Sequence, residues 1–119
     1  MPFWITFSSP VFWSDFFGYD DSWRVEKHPR FVADVNGDGK ADLVGFGNRT
    51  VYVAFSTGQG FTDPVEWIEE YTPERGGWSA GSHPRLVGDV TGDGRADIVG
   101  FGGSSGTSVT RSTLGFSAQ

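Results

Sequence analysis

Two short acidic runs carry the residues best suited to chemistry. Asp34, Asn36, Asp38 and Asp42 place side-chain oxygens at even spacing, the Lys40 carbonyl falls between the last two, and Gly37 and Gly39 separate the ligands. The second run offers Asp89, Thr91, Asp93, the Arg95 carbonyl and Asp97. Oxygen donors at every second residue, with glycines that let the backbone turn sharply, suit a hard cation such as Ca2+, which takes oxygens at about 2.3–2.6 Å. Carboxylates crowded this closely repel one another until a divalent ion neutralises them. An EF-hand would carry Glu at its twelfth loop position, where this chain has Gly45 and Gly100, so the pattern is a shorter loop set between two strands. Asp-Gly pairs that merely close hairpins are the simpler reading. A turn alone needs no third and fourth ligand at fixed spacing, so calcium is the expectation for both loops, with Thr91 a weaker ligand than Asn36.

A second constellation is aromatic and basic. Tyr19, Trp23, Arg24, His28 and Arg30 are followed by Asn48, and Tyr71, Trp78, His83 and Arg85 follow in the same order later in the chain. A flat aromatic ring beside Arg, His and Asn donors suits a sugar, whose C–H face stacks while its hydroxyls take hydrogen bonds. The indoles of Trp23 and Trp78 could equally pack one structural unit against the next. For His28 and His83, each followed by Pro, the simpler role is a satisfied structural hydrogen bond.

These residues recur because the chain repeats. The segment 28–47 returns as 83–102, an offset of 55 residues with 15 of 20 positions identical, and Trp23 pairs with Trp78 at the same offset. More faintly, Phe3–Ser8 resembles Val51–Ser56, and Pro10-Val11-Phe12-Trp13 resembles Pro64-Val65-Glu66-Trp67. The repeat divides the chain into 1–22, the outer strands of a split unit; 23–76, a complete unit; and 77–119, the inner strands of another.

Each unit reads as strands. Stretches free of Gly and Pro are too short for an average helix of about 11–12 residues, and within them apolar side chains alternate with a period of two. One unit predicts strands at about 29–35, 42–46, 50–56 and 64–71, joined by the acidic loop, the 46–50 turn and the 57–60 turn. Four antiparallel strands in a unit of about 40–55 residues have the dimensions of a β-propeller blade, with a β-solenoid or a sandwich as the alternative. The fold expected is therefore all-β, two blades per chain. Up-and-down connectivity puts the aromatic link and the 46–50 turn at one end of each blade and the acidic loops at the other. Known propellers close with about four to eight blades, so the ring is expected to be completed by a homo-oligomer, a trimer giving six blades or a tetramer giving eight. Both 3–7 and 108–112 could supply the third strand of the second blade, and aromatic content favours 3–7.

Composition narrows the functional classes. The chain has 119 residues, 37% hydrophobic and 16% aromatic, no Cys and a formal net charge of −6. Its aromatic content needs a core, which excludes disorder, and the absence of Cys removes disulfides, thiolate zinc sites and thiol nucleophiles. The excess of acid argues against nucleic acid as a partner, because phosphate neutralisation needs clustered Lys and Arg. No apolar run is long enough to insert into a membrane. The first basic residue is Arg24, a poor match to a signal peptide, which leaves a cytoplasmic and a non-classically secreted location equally open. Conspicuous polar groups are duplicated, whereas an active site needs one asymmetric set of acid, base and electrophile, so binding is expected rather than catalysis.

Ser22-Trp23-Arg24-Val25-Glu26-Lys27-His28-Pro29-Arg30-Phe31, followed by Ala-Asp-Val-x-Gly-Asp-Gly-x-Ala-Asp and Val-Gly-Phe-Gly, resembles the blade repeat of the Psathyrella velutina lectin family, related to the FG-GAP repeats of integrin α-subunits. The resemblance spans about 10–110. It implies a calcium-containing propeller that binds N-acetylglucosamine-type or fucose-type glycans in pockets between consecutive blades, without catalysis. By matching position it implies Asp34, Asn36, Asp38 and Asp42 as calcium ligands. The second unit departs from the pattern, with Ser79-Ala80-Gly81-Ser82 in place of Arg24-Val25-Glu26-Lys27. The integrin relationship leaves a second reading open, a calcium-stabilised protein-interaction propeller that binds no sugar.

Overall fold

The computed structural model describes residues 8–103 and 106–113. Strands β1 (Arg30–Ala33), β2 (Asp42–Phe46), β3 (Val51–Ala54) and β4 (Val65–Ile68) form one antiparallel sheet in sequence order, and β5 (Arg85–Gly88), β6 (Asp97–Phe101) and β7 (Thr107–Thr110) form a second. The architecture is all-β, with the up-and-down order of propeller blades. Each expected strand of the complete unit is present; β2 has the expected bounds, and β1, β3 and β4 are trimmed at both ends.

One expectation is corrected. The third strand of the second sheet is β7, which pairs with β6 from Ile98↔Thr110 to Phe101↔Thr107. Its composition, Thr-Ser-Val-Thr, lacks the aromatics of the rival segment 3–7, which lies outside the described residues. Chain connectivity decided the pairing: a short turn brings β7 back beside β6, and hairpin closure costs far less entropy than recruiting a strand about a hundred residues away.

Strand alternation sorts the side chains. Val44 and Phe46 of β2 share a face with Val51 and Val53 of β3, and this face packs on the second sheet's Val87, Ala96 and Ile98 to make the core. The Arg85 guanidinium lies 5.6 Å from the Phe46 ring and donates from Nη1 to the Tyr71 carbonyl at 2.8 Å. Polar ties hold the same seam: the Ala96 N–H donates to the Asp34 carbonyl at 2.8 Å, and the Ser112 hydroxyl to the Val35 carbonyl at 2.6 Å.

The first glycine of each Val-Gly-Phe-Gly run is explained by what lies over it. A Cβ built on Gly45 would sit 2.8 Å from the Trp23 ring and 2.9 Å from the Phe17 ring, and one on Gly100 would sit 2.7 Å from Trp78 and 2.9 Å from Tyr71. The two rings meet edge to face at 4.8 Å over Gly45 and in a tilted pair at 5.2 Å over Gly100. Both sheets therefore carry the same aromatic cap, seated in a notch that only glycine leaves open.

That notch makes a prediction. Gly45→Ala should cost about 1–3 kcal/mol by overpacking. Gly88→Ala, at a site with open space and an Ala at the corresponding position of the first sheet, should stay within about 0.5 kcal/mol. Urea denaturation of both variants checks it, and equal midpoints would show that the cap does not need the glycine.

Candidate functional site

The aromatic cap leaves a crevice beside the first sheet. A single 3-10 turn, Tyr19–Asp21, carries the chain from Phe17 to Trp23, and Phe17 itself takes a left-handed φ of 66°. Trp23 packs against Phe17, His28 and Tyr52, with centroids at 4.8, 5.1 and 6.2 Å. Its exposed side, together with Asp21, His28, Asn48, Arg49 and Tyr52, lines the crevice.

Hydrogen bonding fixes the imidazole at its floor. His28 is buried, and its Nδ1 accepts the Arg24 N–H at 2.9 Å. An Nδ1 that accepts cannot carry the proton of a neutral ring, so Nε2 carries it and donates to Asn48 Oδ1 at 2.9 Å. With its carbonyl taken, Asn48 is left with two amide donors at an exposed position on the rim. A donor pair held beside an indole edge and a phenol is a fitting arrangement for a hydroxyl- or acetamido-bearing ligand.

The remaining expected binding residues divide. Trp23, His28 and Asn48 come together here. Tyr19 and Arg24 stack on each other outside the crevice, with the guanidinium carbon 3.7 Å from the phenol centroid and Nη1 donating to the Tyr19 carbonyl at 2.8 Å. Arg30 and Arg85 act within the frame: their Nη1 groups donate to the Phe17 and Tyr71 carbonyls, each at 2.8 Å, which pins the left-handed residue of each aromatic cap. Burial lowers the pKa of Arg85. Tyr71 is buried core, its hydroxyl 2.7 Å from Thr110 Oγ1, and it corresponds to Phe17 rather than to Tyr19. Tyr52, Asp21 and Arg49 were not singled out from the sequence. Tyr52 was findable, because strand alternation puts it opposite Gly45, on the face the aromatic cap covers.

The second copy keeps the frame and loses the crevice chemistry. Trp78 meets His83 at 5.7 Å, and His83 Nδ1 accepts the Ser79 N–H at 3.1 Å, as in the first copy. Gly103 stands where Asn48 stands, Ser79 where Arg24 stands, and Ser108 pairs with Gly100 as Tyr52 pairs with Gly45.

At the opposite end of the sheets lie the acidic loops. Carboxylate oxygens of Asp34, Asp38 and Asp42 come within 4.8 Å of one another. Asp34 accepts the amides of Gly37 and Gly39 at 2.8 Å each, which folds the loop around it, and both glycines take the left-handed φ this requires. Asp42 is fully buried, accepting the Val35 and Ser56 amides at 3.1 and 2.8 Å. Burial raises its pKa, and the charges of Asp38 and Asp34 add to the rise. Asp38 moves the other way, lowered chiefly by the Lys40 amide. Asn36 Oδ1 faces the Asp38 amide at 3.3 Å. An all-oxygen cluster of three carboxylates, one of them buried, can hold a hard divalent cation.

The second loop repeats the fold with a different charge balance. Asp89 accepts Gly92 and Gly94 as Asp34 does, and Asp97 accepts Val90 and Thr91, the latter through amide and hydroxyl. Asp93 carries two guanidinium groups, Arg95 at 3.2 Å and Arg111 at 3.4 Å, and its pKa falls to about 2, first through the Arg95 amide and then through these side chains. In the first loop the corresponding partner is a single Lys40 at 3.5 Å from Asp38.

The comparisons agree with this layout. A model of the FG-GAP-like repeat matches residues 34–100, which spans both acidic loops and the core strands. Among solved structures the chain is similar to a lectin of Agrocybe aegerita, described as the structural basis of specific recognition of non-reducing terminal N-acetylglucosamine, at 43% sequence identity and a TM-score of 0.79. The match covers 82% of this chain and 25% of that one, so this chain spans about a quarter of the neighbour's length. A search of curated proteins found no match. With a repeat model covering more than half its residues, and the paired loops and sheets that the repeat requires, the chain belongs to the FG-GAP-like repeat family.

Proposed function

We propose that the chain is a carbohydrate-binding lectin module that takes a terminal N-acetylglucosamine-type sugar in the crevice of the first sheet, in the manner of the Psathyrella velutina lectin family, without catalysis. The observation that carries this is the His28–Asn48 pair seated against Trp23 and Tyr52. A protonated Nε2 holds the Asn48 carbonyl, so the amide donors are oriented before any ligand arrives, which spares part of the ordering cost of binding. The indole edge and the phenol offer the apolar surface for a sugar C–H face, and Asp21 and Arg49 at the rim supply an acceptor and donors. The similarity to an N-acetylglucosamine lectin supports that sugar over a fucose-type one.

Ca2+ belongs to the same proposal. Asp34, Asp38 and Asp42, with Asn36 and the Lys40 carbonyl, would hold it in the first loop, where bound charge would relieve the carboxylate repulsion and brace the end of the sheet remote from the crevice. In the second loop Asp89, Thr91, Asp93, the Arg95 carbonyl and Asp97 would compete with Arg95 and Arg111 for the ion, so the affinity there is lower.

Two outcomes are expected. Titration calorimetry with N-acetylglucosamine should give one site per chain, because the second crevice lacks the counterparts of Asn48 and Tyr52. Asn48→Ala should weaken binding roughly tenfold, about 1.4 kcal/mol, in protein that stays folded, with about 1 kcal/mol of stability lost as the buried His28 Nε2 loses its acceptor. Two equal sites, or full affinity in Asn48→Ala, would remove the crevice from the mechanism, and fucose binding without N-acetylglucosamine binding would change the sugar. Absence of all sugar binding in the folded protein would leave the interaction-propeller reading.

Excess chelator should lower the melting temperature, since an ion present at a hundred times its Kd stabilises by about 2.7 kcal/mol. Asp34→Asn should remove most of that shift, and a melt indifferent to chelator would eliminate structural calcium.

A further inference from the structure

The geometry points to a head-to-tail contact between copies of this chain, in which the outer face of one copy's second sheet packs on the outer face of the next copy's first sheet. The template is the contact already inside the chain. Because the two sheets are copies of one unit, each position on the internal seam has a twin on an outer face, and burial separates them. On one side of the seam Val35, Phe46 and Val53 are fully buried, whereas their twins Val90, Phe101 and Val109 are 59%, 39% and 49% exposed. On the other side Arg85 and Ala96 are buried, whereas their twins Arg30 and Ala41 are exposed and Val32 is 64% exposed. The two outer faces are thus the two halves of a joint the protein already makes once.

The polar ties of the internal joint have twins as well. Arg85 lies over Phe46, so Arg30 of the next copy would lie over Phe101. The Ala96 amide bonds the Asp34 carbonyl and the Ser112 hydroxyl bonds the Val35 carbonyl, so Ala41 and Ser56 of the next copy would meet the carbonyls of Asp89 and Val90. A face bearing only apolar residues would fit many partners, whereas a donor set spaced for these acceptors fits a second copy of this chain.

The same docking would add a fourth strand to the second sheet. Among the described residues the first sheet has four strands and the second three, with β7 at its edge. Pro10-Val11-Phe12-Trp13 resembles the segment that forms β4, yet among the described residues it is unpaired, with Val11 and Phe12 exposed and Trp13 resting on Phe61 at 5.4 Å. Val65 pairs with Val53 inside the chain, so Val11 of the next copy would pair with Val109. Such a contact is heterologous and closes into a ring when the rotation fits, with three copies giving six sheets or four giving eight.

The test needs no ligand, so its failure is separable from that of the sugar proposal. Light scattering of the 119-residue chain should give a discrete small multiple of 13.0 kDa. Phe101→Glu and Val32→Glu should each reduce this to the monomer, and an equimolar mixture of the two should give a heterodimer, because each variant keeps one intact face. Should either variant misfold, Val11→Cys combined with Val109→Cys in this Cys-free chain provides the second measurement, with disulfide-linked ladders expected on oxidation. A monomeric wild-type chain, a mixture of folded variants that stays monomeric, or a Cys pair that links only within one chain would overturn the inference.

Discussion

A sheet of four short strands has two faces, and in this molecule each carries apolar side chains, so neither can be turned to water without exposing them. Everything else in this molecule follows from how those faces are covered. Val44, Phe46, Val51 and Val53 are buried because another sheet lies over them, and that sheet is a copy of their own unit. Face-on-face packing of identical units demands that each unit present two unlike surfaces that fit one another. The first is an apolar strand face. The second is a strand face notched by glycine and filled with an aromatic pair, with an arginine laid across it.

The ligand crevice is a by-product of that joint. Trp23 and Trp78 enter their notches as packing residues, and part of the Trp23 ring is left open to the crevice. Whether a crevice can use the ring depends on the rim, where the two copies have diverged. His28 finds a carbonyl in Asn48, whereas the corresponding position beside His83 is Gly103, which has no side chain to offer. The acidic loops show the same pattern of a conserved scaffold with altered charge. Amide bonds to Asp34 and Asp89 build the same turn twice, while two arginines gather on Asp93 and one lysine on Asp38. Duplication preserved the folding elements, and the side chains at the ends of the sheets were free to change because little packs on them.

Local patterns were the legible part. Period-two alternation located β1 to β4, and the Gly-Asp-Gly spacing located the loops, because both are set by neighbours a few residues away. What local spacing left undecided lay where distant groups compete. Residues 3–7 outrank 107–110 in aromatic content, yet it is β7, close to β6 along the chain, that pairs with it. Arg30 and Arg85 have the chemistry of sugar donors, and only the folded chain shows the Phe17 and Tyr71 carbonyls that claim them. Tyr71 stood beside Tyr19 in the sequence pattern, but a one-residue difference in the link aligns it with Phe17 and takes it into the core.

By itself the sequence determined the unit: its length, its strands, its two oxygen-rich loops and the family it belongs to, all of which depend on spacing along one chain. The tertiary structure decided which copy of a duplicated residue faces a polar crevice and which does not. Trp23 and Trp78 are identical as letters, and so are His28 and His83. Their difference lies in their neighbours, Asn48 and Tyr52 in one case, Gly103 and Ser108 in the other, which come from an inter-strand connection and from the strand after it. A hydrogen bond is settled by proximity in space, and folding alone sets that proximity.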